Sequence, residues 1–309
     1  MSYDIIGDIH GQADKLEALL AKLRYEKKCQ TWCHPERTAI FVGDFIDRGL
    51  GQERTLTTVR NMTEAGSALA IMGNHEFNAI CWHTPDTENP GEHLRRRTEE
   101  KGAKNRRQHE AFLSEFEARP EEHAKWIAWF YSLPLWLDLG AIRVVHACWH
   151  DGYMGSLASQ LKEGNRLSPN LVVLASREGN DEYVQVEAIA KGIEIPMPEG
   201  HSFADKDGNK RGNVRIKWWD ATAITYGAAA IPTSKAKEFS DEVLPASSIP
   251  GYHSEIPVFF GHYWMTGKPE PLSPKVACVD YSAGNGGPLV AYRWEGEREL
   301  FAQNFVSSD

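Results

Sequence analysis

Short apolar runs that stop abruptly at polar residues recur six times along this chain. Tyr3 to Ile6 leads into Gly7-Asp8-Ile9-His10-Gly11, Ala39 to Val42 into Gly43-Asp44, and Ala68 to Met72 into Gly73-Asn74-His75-Glu76. Ile142 to Val145 ends at His146, Val258 to Phe260 at Gly261-His262, and Val276 to Val279 at Asp280. Nearly continuous runs rich in Val, Ile and Phe read as strands buried on both faces. Between them lie helical stripes: Leu16, Leu19, Leu20 and Leu23, then Leu56, Val59 and Met62, then Trp126, Phe130 and Leu133 beside Ile127. This alternation predicts an α/β layered fold, in which ligands gather where strands end. Here that edge collects Asp, His and Asn.

Two stretches break the rhythm. Residues 84–122 are charge-rich and predict a solvated, polar helical insertion. Residues 151–256 carry many Pro and Gly and predict an irregular, cap-like insertion that shapes substrate choice, within a single domain spanning 1–309. Inside it, SFADKDGNKRGNVRIKWW predicts a hairpin turning near Asp207-Gly208. DKDGN is not a calcium loop of the EF-hand kind, because Gly208 is fourth rather than sixth. Alternation in VRIKWWD sets Arg215 and Lys217 on one face and Val214, Ile216 and Trp218 on the other.

Composition narrows the class. The 309 residues are 41% hydrophobic and 25% charged, enough for a sizeable core without staples. No run of about 18 apolar residues is present, so no membrane span is expected. The start, MSYDIIGDIHG, does not read as a signal peptide. Five scattered cysteines, Cys29, Cys33, Cys81, Cys148 and Cys278, suit free thiols in a reducing cytoplasm. Cys29 and Cys33 lack the second ligand pair of a zinc site. The net charge of −9 argues against a surface that tracks long nucleic acid, while leaving room for a small phosphorylated substrate in a local cationic pocket.

The strand ends carry the chemistry. Asp8 and His10, two apart, share a face if strand geometry continues. Asp44 adds a carboxylate, Asn74 an amide oxygen, and His146 and His262 two imidazoles. Taken singly, each has a plainer explanation: Asp8 as a helix cap, Asn74 as a turn residue, either histidine as a core residue. Six candidate ligands at the ends of five runs exceed what caps require. Such a mixed N/O set suits Mn, Fe or Zn, and two cations roughly 3.5–4 Å apart would clamp a phosphoryl group for in-line displacement.

GDIHG (7–11), GDFIDRG (43–49), GNHE (73–76), a strand ending in His146 and a later Gly261-His262 resemble the calcineurin-like metallophosphoesterase superfamily, and within it the phosphoprotein-phosphatase branch. The match in order and spacing covers roughly the first 150 residues and the closing strands from Gly261. The resemblance implies a β-sandwich flanked by helices around two divalent metal ions, Mn first, with Fe, Zn or Ni as alternatives. By motif position Asp8 and His10 bind one metal, Asp44 bridges, and Asn74, His146 and His262 complete the other. His75 protonates the leaving oxygen after attack by a metal-bridging hydroxide. Arg48 forks onto phosphate oxygens. Asp47 holds the His75 ring in the tautomer and charge state an acid needs; pairing with Arg48, or capping a 51–65 helix, is its plainer role.

The sequence departs from that branch in places. After His146 it reads Ala147-Cys148-Trp149-His150-Asp151 where Gly-Gly or Ala-Gly is usual in that branch, and the bulky Trp149 and extra His150 predict an altered pocket wall. The second phosphate-binding arginine has no motif; Arg215 is the first candidate, ahead of Arg211 and Lys217. The expected activity is phosphate monoester hydrolysis, on a phosphoprotein or a small ester. The alternatives are a symmetrical dinucleoside tetraphosphatase, then a polynucleotide phosphatase, then a non-catalytic scaffold. Tetraphosphatases of this superfamily typically carry GNHD and an uncharged residue at the Asp47 position, so GNHE with Asp47 tilts the reading towards monoesters.

Overall fold

The computed structural model describes residues 2–204 and 210–309. Two sheets form its centre. Nine strands build them: β1 (Ser2–Ile6), β2 (Arg37–Phe41), β3 (Ala68–Ala70), β4 (Trp136–Asp138), β5 (Arg143–Val145), β6 (Val258–Phe260), β7 (Val276–Cys278), β8 (Val290–Trp294) and β9 (Phe305–Ser307). The first sheet runs β9-β8-β1-β2-β3 and the second β7-β6-β5-β4. All six predicted runs are strands, each within two residues of its expected ends.

The inner faces meet as a sandwich. Tyr3, Ile5, Ile40 and Val42 of the first sheet pack with Val144, Phe259, Ala277 and Val279 of the second. The alternate residues Ile6, Ala39 and Phe41 face outward onto helices α1 (Ala13–Lys22) and α2 (Gln52–Glu64), against Leu16, Leu19, Leu56 and Val59. Both faces are covered, which is why these strands read as continuous apolar runs rather than alternating ones.

Register fixes where the polar tips emerge. Ile6 lies beside Phe41, and Phe41 beside Ala70, in parallel pairing. Val144 lies beside Phe259, and Phe260 beside Cys278, also parallel. Two parallel triplets therefore release their next residues at one end of the sandwich.

Helix α3 (Asn74–His83) starts inside GNHE, with Gly73 as N-cap. The stretch 84–122 holds α4 (Glu99–Gln108) and α5 (Glu110–Phe116), and opens α6 (Pro120–Phe130). The stretch 151–256 is more regular than its composition suggests. It holds α7 (Asp151–Leu157), α8 (Pro169–Ala175) and α9 (Asp181–Lys191), then a small core of Ile195, Val214, Ile216, Tyr226 and Phe239. These helices are short and lack a long apolar stripe, so periodicity did not reveal them. Strands Phe203–Ala204 and Lys210–Arg211 pair antiparallel, while the turn expected near Asp207-Gly208 lies outside the described residues. Among the described residues no helix is long and apolar enough to cross a membrane.

Candidate metal centre and active site

The loops at the strand tips take backbone shapes that side chains rarely adopt. His10 (φ 49°), Asp44 (φ 52°), Asp47 (φ 71°), Arg48 (φ 66°) and His262 (φ 68°) all lie in the left-handed region. Strain of this kind persists only where surrounding structure enforces it, and it collects at functional sites. Glycine opens the space. A Cβ on Gly43 would sit 2.4 Å from the Gly73 nitrogen, and one on Gly261 would sit 2.0 Å from Asp8 Oδ1. The loops thus approach one another closely, Gly43 against the Gly73 backbone and Gly261 against the Asp8 carboxylate, and bring their polar residues together.

Two buried clusters result: His10, Asp44 and His75, and Asp44, His146 and His262. Asp44 belongs to both. Its Oδ2 is 3.6 Å from His10 Nε2, and its Oδ1 is 3.4 Å from His146 Nε2. Asn74 Oδ1 lies 3.2 Å from His146 Nε2. Asp8 is buried beside them, its Oδ2 accepting the His262 N–H at 2.9 Å. The Asp8 capping alternative fails, since Gln12 stands at the start of α1.

Backbone carbonyls set the imidazole tautomers. His10 Nδ1 meets the Ile46 carbonyl at 2.9 Å and His146 Nδ1 meets the Val42 carbonyl at 2.7 Å. A carbonyl only accepts, so each Nδ1 bears the proton; His10 Nε2 is then left to present its lone pair to the cluster, while His146 Nε2 faces the Asp44 and Asn74 oxygens. His10 Nε2, Asp8 Oδ1 and both ring nitrogens of His262 are buried with no hydrogen-bond partner. Buried polar atoms without partners are costly, and ligation to a cation would satisfy them.

Charge crowding points the same way. Burial, then Asp280 and Asp44, raises Asp8 well above the ordinary carboxylate range. Burial opposes ionisation of Asp44, yet His146, His75 and His10 hold it well below that range. Burial pushes His10 down to about 3, into its neutral ligand form, and pushes His262 down as well. His146, resisted by burial, is drawn up to about 10 by Asp44, the bond a cation between them would replace. The donors present fit divalent cations.

A second group borders the clusters. Asp47 Oδ2 lies 2.5 Å from His75 Nδ1, and Asp47 Oδ1 lies 2.8 Å from His109 Nδ1. The helix-capping role of Asp47 does not hold, since Gly51 stands at the start of α2, and its two carboxylate oxygens meet His75 and His109. His75 Nε2 points towards Asp44 Oδ2, 3.9 Å away. Burial opposes a charge on His75, but Asp44 and Asp47 raise it above the ordinary histidine value. Arg48, at the exposed rim, lays its guanidinium 4.3 Å from the centre of the Trp264 ring.

Three residues were not found by sequence reasoning. Glu76 is fully buried and accepts the backbone N–H groups of Asp44, Phe45, Ile46 and Gly73. Asp280 accepts those of Trp264 at 2.7 Å and Ser282 at 2.9 Å, fixing the loop after His262. His109 lies between α4 and α5. The strings GNHE and VACVD held Glu76 and Asp280 in plain view, but no periodic pattern marks His109.

Arg215 lies on the exposed side of its strand as alternation predicts, with Val214 and Ile216 buried. Its guanidinium is 5.5 Å from the Tyr263 ring centre and 3.3 Å from Glu194 Oε1, and it contributes to depressing His262. Lys217 Nζ instead donates to the Ala228 carbonyl. Trp149 and His150 turn away from both clusters. Trp149 Nε1 donates to Asp151, His150 stacks on Tyr153 at 3.7 Å, and the two line a separate cleft with Tyr252 and His253.

The profile of the calcineurin-like phosphoesterase family matches residues 1–262. The chain belongs to the calcineurin-like phosphoesterase family. Within this calcineurin-like phosphoesterase fold, two clusters of His and Asp stand where each could hold a metal ion. It is 45% identical over 76 residues to an asymmetrical bis(5'-nucleosyl)-tetraphosphatase PrpE of Bacillus velezensis, covering 24% of this chain and 30% of the relative. It is 36% identical over 97 residues to a symmetrical bis(5'-nucleosyl)-tetraphosphatase of Hamiltonella defensa, covering 30% of this chain and 31% of the relative. These matches span less than a third of each relative's length. A protein serine/threonine phosphatase of Saccharomyces cerevisiae, with similarity to human phosphatase PP5, shares the fold at a TM-score of 0.50 and 13% identity, over 99% of this chain and 79% of that one.

Proposed function

We propose that this chain hydrolyses dinucleoside polyphosphates at a two-metal centre. The observation that carries this reading is the identity of the curated relatives: the asymmetrical and symmetrical ones alike are named bis(5'-nucleosyl)-tetraphosphatases. This moves the preferred substrate away from the monoesters that GNHE and Asp47 suggested. Monoester hydrolysis stays as the second reading because the Asp47–His75 pair is intact, and a poor leaving group needs such an acid most.

On this reading Asp8 and His10 hold one cation, Asn74, His146 and His262 the other, and Asp44 both. Bound there, two divalent cations supply an activated water and a clamp on the phosphoryl oxygens. Mn²⁺ suits a donor set of imidazole, carboxylate and amide without thiolate. Arg48, steadied on Trp264, grips phosphate oxygens at the rim, and Arg215 is placed to meet a second phosphate. His75 Nε2 delivers a proton to the departing oxygen while Asp47 holds the ring. The five free cysteines fit a reducing, cytoplasmic setting.

Steady-state assays with Mn²⁺ test the proposal, comparing diadenosine tetraphosphate, phenyl phosphate, a phosphopeptide and a 5'-phosphorylated oligonucleotide. The expected result is the highest kcat/KM on the tetraphosphate. A tenfold or greater preference for phenyl phosphate or the phosphopeptide would replace it with the second reading. Failure to turn over any of them with two metals bound would leave a binding scaffold.

A further inference from the structure

Asp47 is a buried carboxylate with two imidazoles on it, one per oxygen. His75 takes Oδ2 and His109 takes Oδ1, each through Nδ1. A carboxylate accepts only, so both nitrogens carry protons. The three residues come from three separate elements: the loop between β2 and α2, the first turn of α3, and the junction of α4 and α5. The backbone N–H of Asp47 donates to Gln52 Oε1 at 2.8 Å, so main chain and side chain are both fixed.

The surroundings of His109 separate a polar role from simple packing. Its ring stacks on Phe112 at 4.9 Å with an interplanar angle of 21°, and meets the Trp82 ring edge-on at 6.2 Å. It is 3% exposed, and its Nε2 has no hydrogen-bond partner. A phenylalanine would fill that aromatic slot without an unpaired Nε2, but it would leave Asp47 Oδ1 without this partner. Among the described residues the hydrogen bond of the His109 ring is the one to Asp47, so that contact is what the imidazole supplies.

We infer that His109 is a positioning residue of the active site: it occupies the second oxygen of Asp47, prevents that carboxylate from turning, and so locks His75 as the Nδ1–H tautomer with Nε2 aimed at the leaving group. The insertion at 84–122 thereby completes the proton-delivery apparatus rather than only covering the surface. This inference rests on reading His75 as the proton donor. Without His109 the free Asp47 oxygen can recruit water or rotate, and the His75 ring loses its fixed orientation.

The test uses the full chain with His109→Phe, which keeps the ring stack, His109→Leu in case the larger ring does not fit, and His109→Asn, whose amide nitrogen stands near the position of Nδ1. The first readout compares turnover of phenyl phosphate, with its poor leaving group, against 4-nitrophenyl phosphate, with its good one. His109→Phe should lower the first about tenfold more than the second, a fraction of the roughly hundredfold or greater effect of an acid, and His109→Asn should recover most of the loss. The second readout is ¹⁵N-histidine NMR of the Zn²⁺-loaded chain, which reports tautomers directly. His75 should be a pure Nδ1–H tautomer in the parent and a mixture in His109→Phe or His109→Leu. An unchanged substrate ratio with His75 still fixed as Nδ1–H would overturn the inference. His75→Asn serves as the control. If it lowers both esters equally, the acid reading itself fails while the NMR arm still decides the arrangement. If it discriminates between the esters and His109→Phe does not, only the role of His109 falls.

Discussion

The Glu76 carboxylate accepts the backbone N–H of Asp44 at 2.9 Å through Oε2, and the same oxygen accepts that of Gly73 at 2.9 Å. Its other oxygen takes Phe45 at 2.8 Å and Ile46 at 3.4 Å. One side chain therefore ties the loop after β2 to the start of α3 and holds Asp44 at its left-handed φ. Burial and the Asp44 charge push Glu76 up to about 7, and the N–H donors pull it back.

Glu76→Gln places an amide donor against backbone donors and breaks this clamp. The expected outcome is a 10- to 100-fold loss of metal affinity, the usual cost of removing support from behind a ligand. Isothermal titration with Mn²⁺ measures it. Affinity within twofold of the parent would show that Asp44 is held by other means.

Asp47→Asn leaves a side chain of the same shape but places an amide where His75 Nδ1 donates. Turnover of phenyl phosphate should fall roughly a hundredfold or more, the scale of general-acid assistance. Diadenosine tetraphosphate, whose leaving group departs more readily, should lose much less. Equal losses on both substrates would remove Asp47 from proton delivery.

Asp4 is fully buried and accepts from Arg37 Nε at 2.9 and 3.0 Å and from Arg293 Nε at 3.1 Å. It joins β1, β2 and β8 far from the metal-binding end. Asp4→Asn removes the charge and leaves Arg37 buried, a change that costs about 3 kcal/mol or more. Urea unfolding should show the loss with the m value unchanged, while metal affinity stays at the parent level.

Burial pushes the Cys81 thiol up to about 12 and holds Cys148 and Cys278 well above the ordinary thiol range, whereas Cys29 is exposed. Thiolate is the reactive form. Titration with a chromogenic disulfide at neutral pH should label Cys29 first and Cys33 more slowly. The remaining three should react only after denaturation. Rapid labelling of Cys148 in the folded protein would contradict its burial beside His146.

Burial, with His83 and His109 nearby, lowers His123 to about 4 from its ordinary 6.5. The unfolded chain binds a proton at this site before the folded chain does. Stability from this source is complete above about pH 6.5 and is lost as pH falls towards 4. Thermal melts from pH 7 to pH 5 should show a smaller decline for His123→Phe than for the parent. Parallel declines would assign the acid sensitivity to other groups.

The sequence by itself determined the six strands, the helices against the outer face of the first sheet, and the donor types at the strand tips. Those features are local: an apolar run, a helical stripe, or a short string such as GDIHG is complete within a few residues. It also named Asp47 and His75 as partners, through resemblance rather than geometry. The tertiary structure alone decided what holds those residues in place. Glu76 reaches the loop of Asp44, 32 residues earlier, and His109 reaches Asp47 across 62 residues. Short helices in 84–122 and 151–256 were hidden because their burial comes from neighbours distant in sequence rather than from a stripe of their own. Periodicity records which face of an element is buried. It carries no information about which polar atom, on another element, will meet it there.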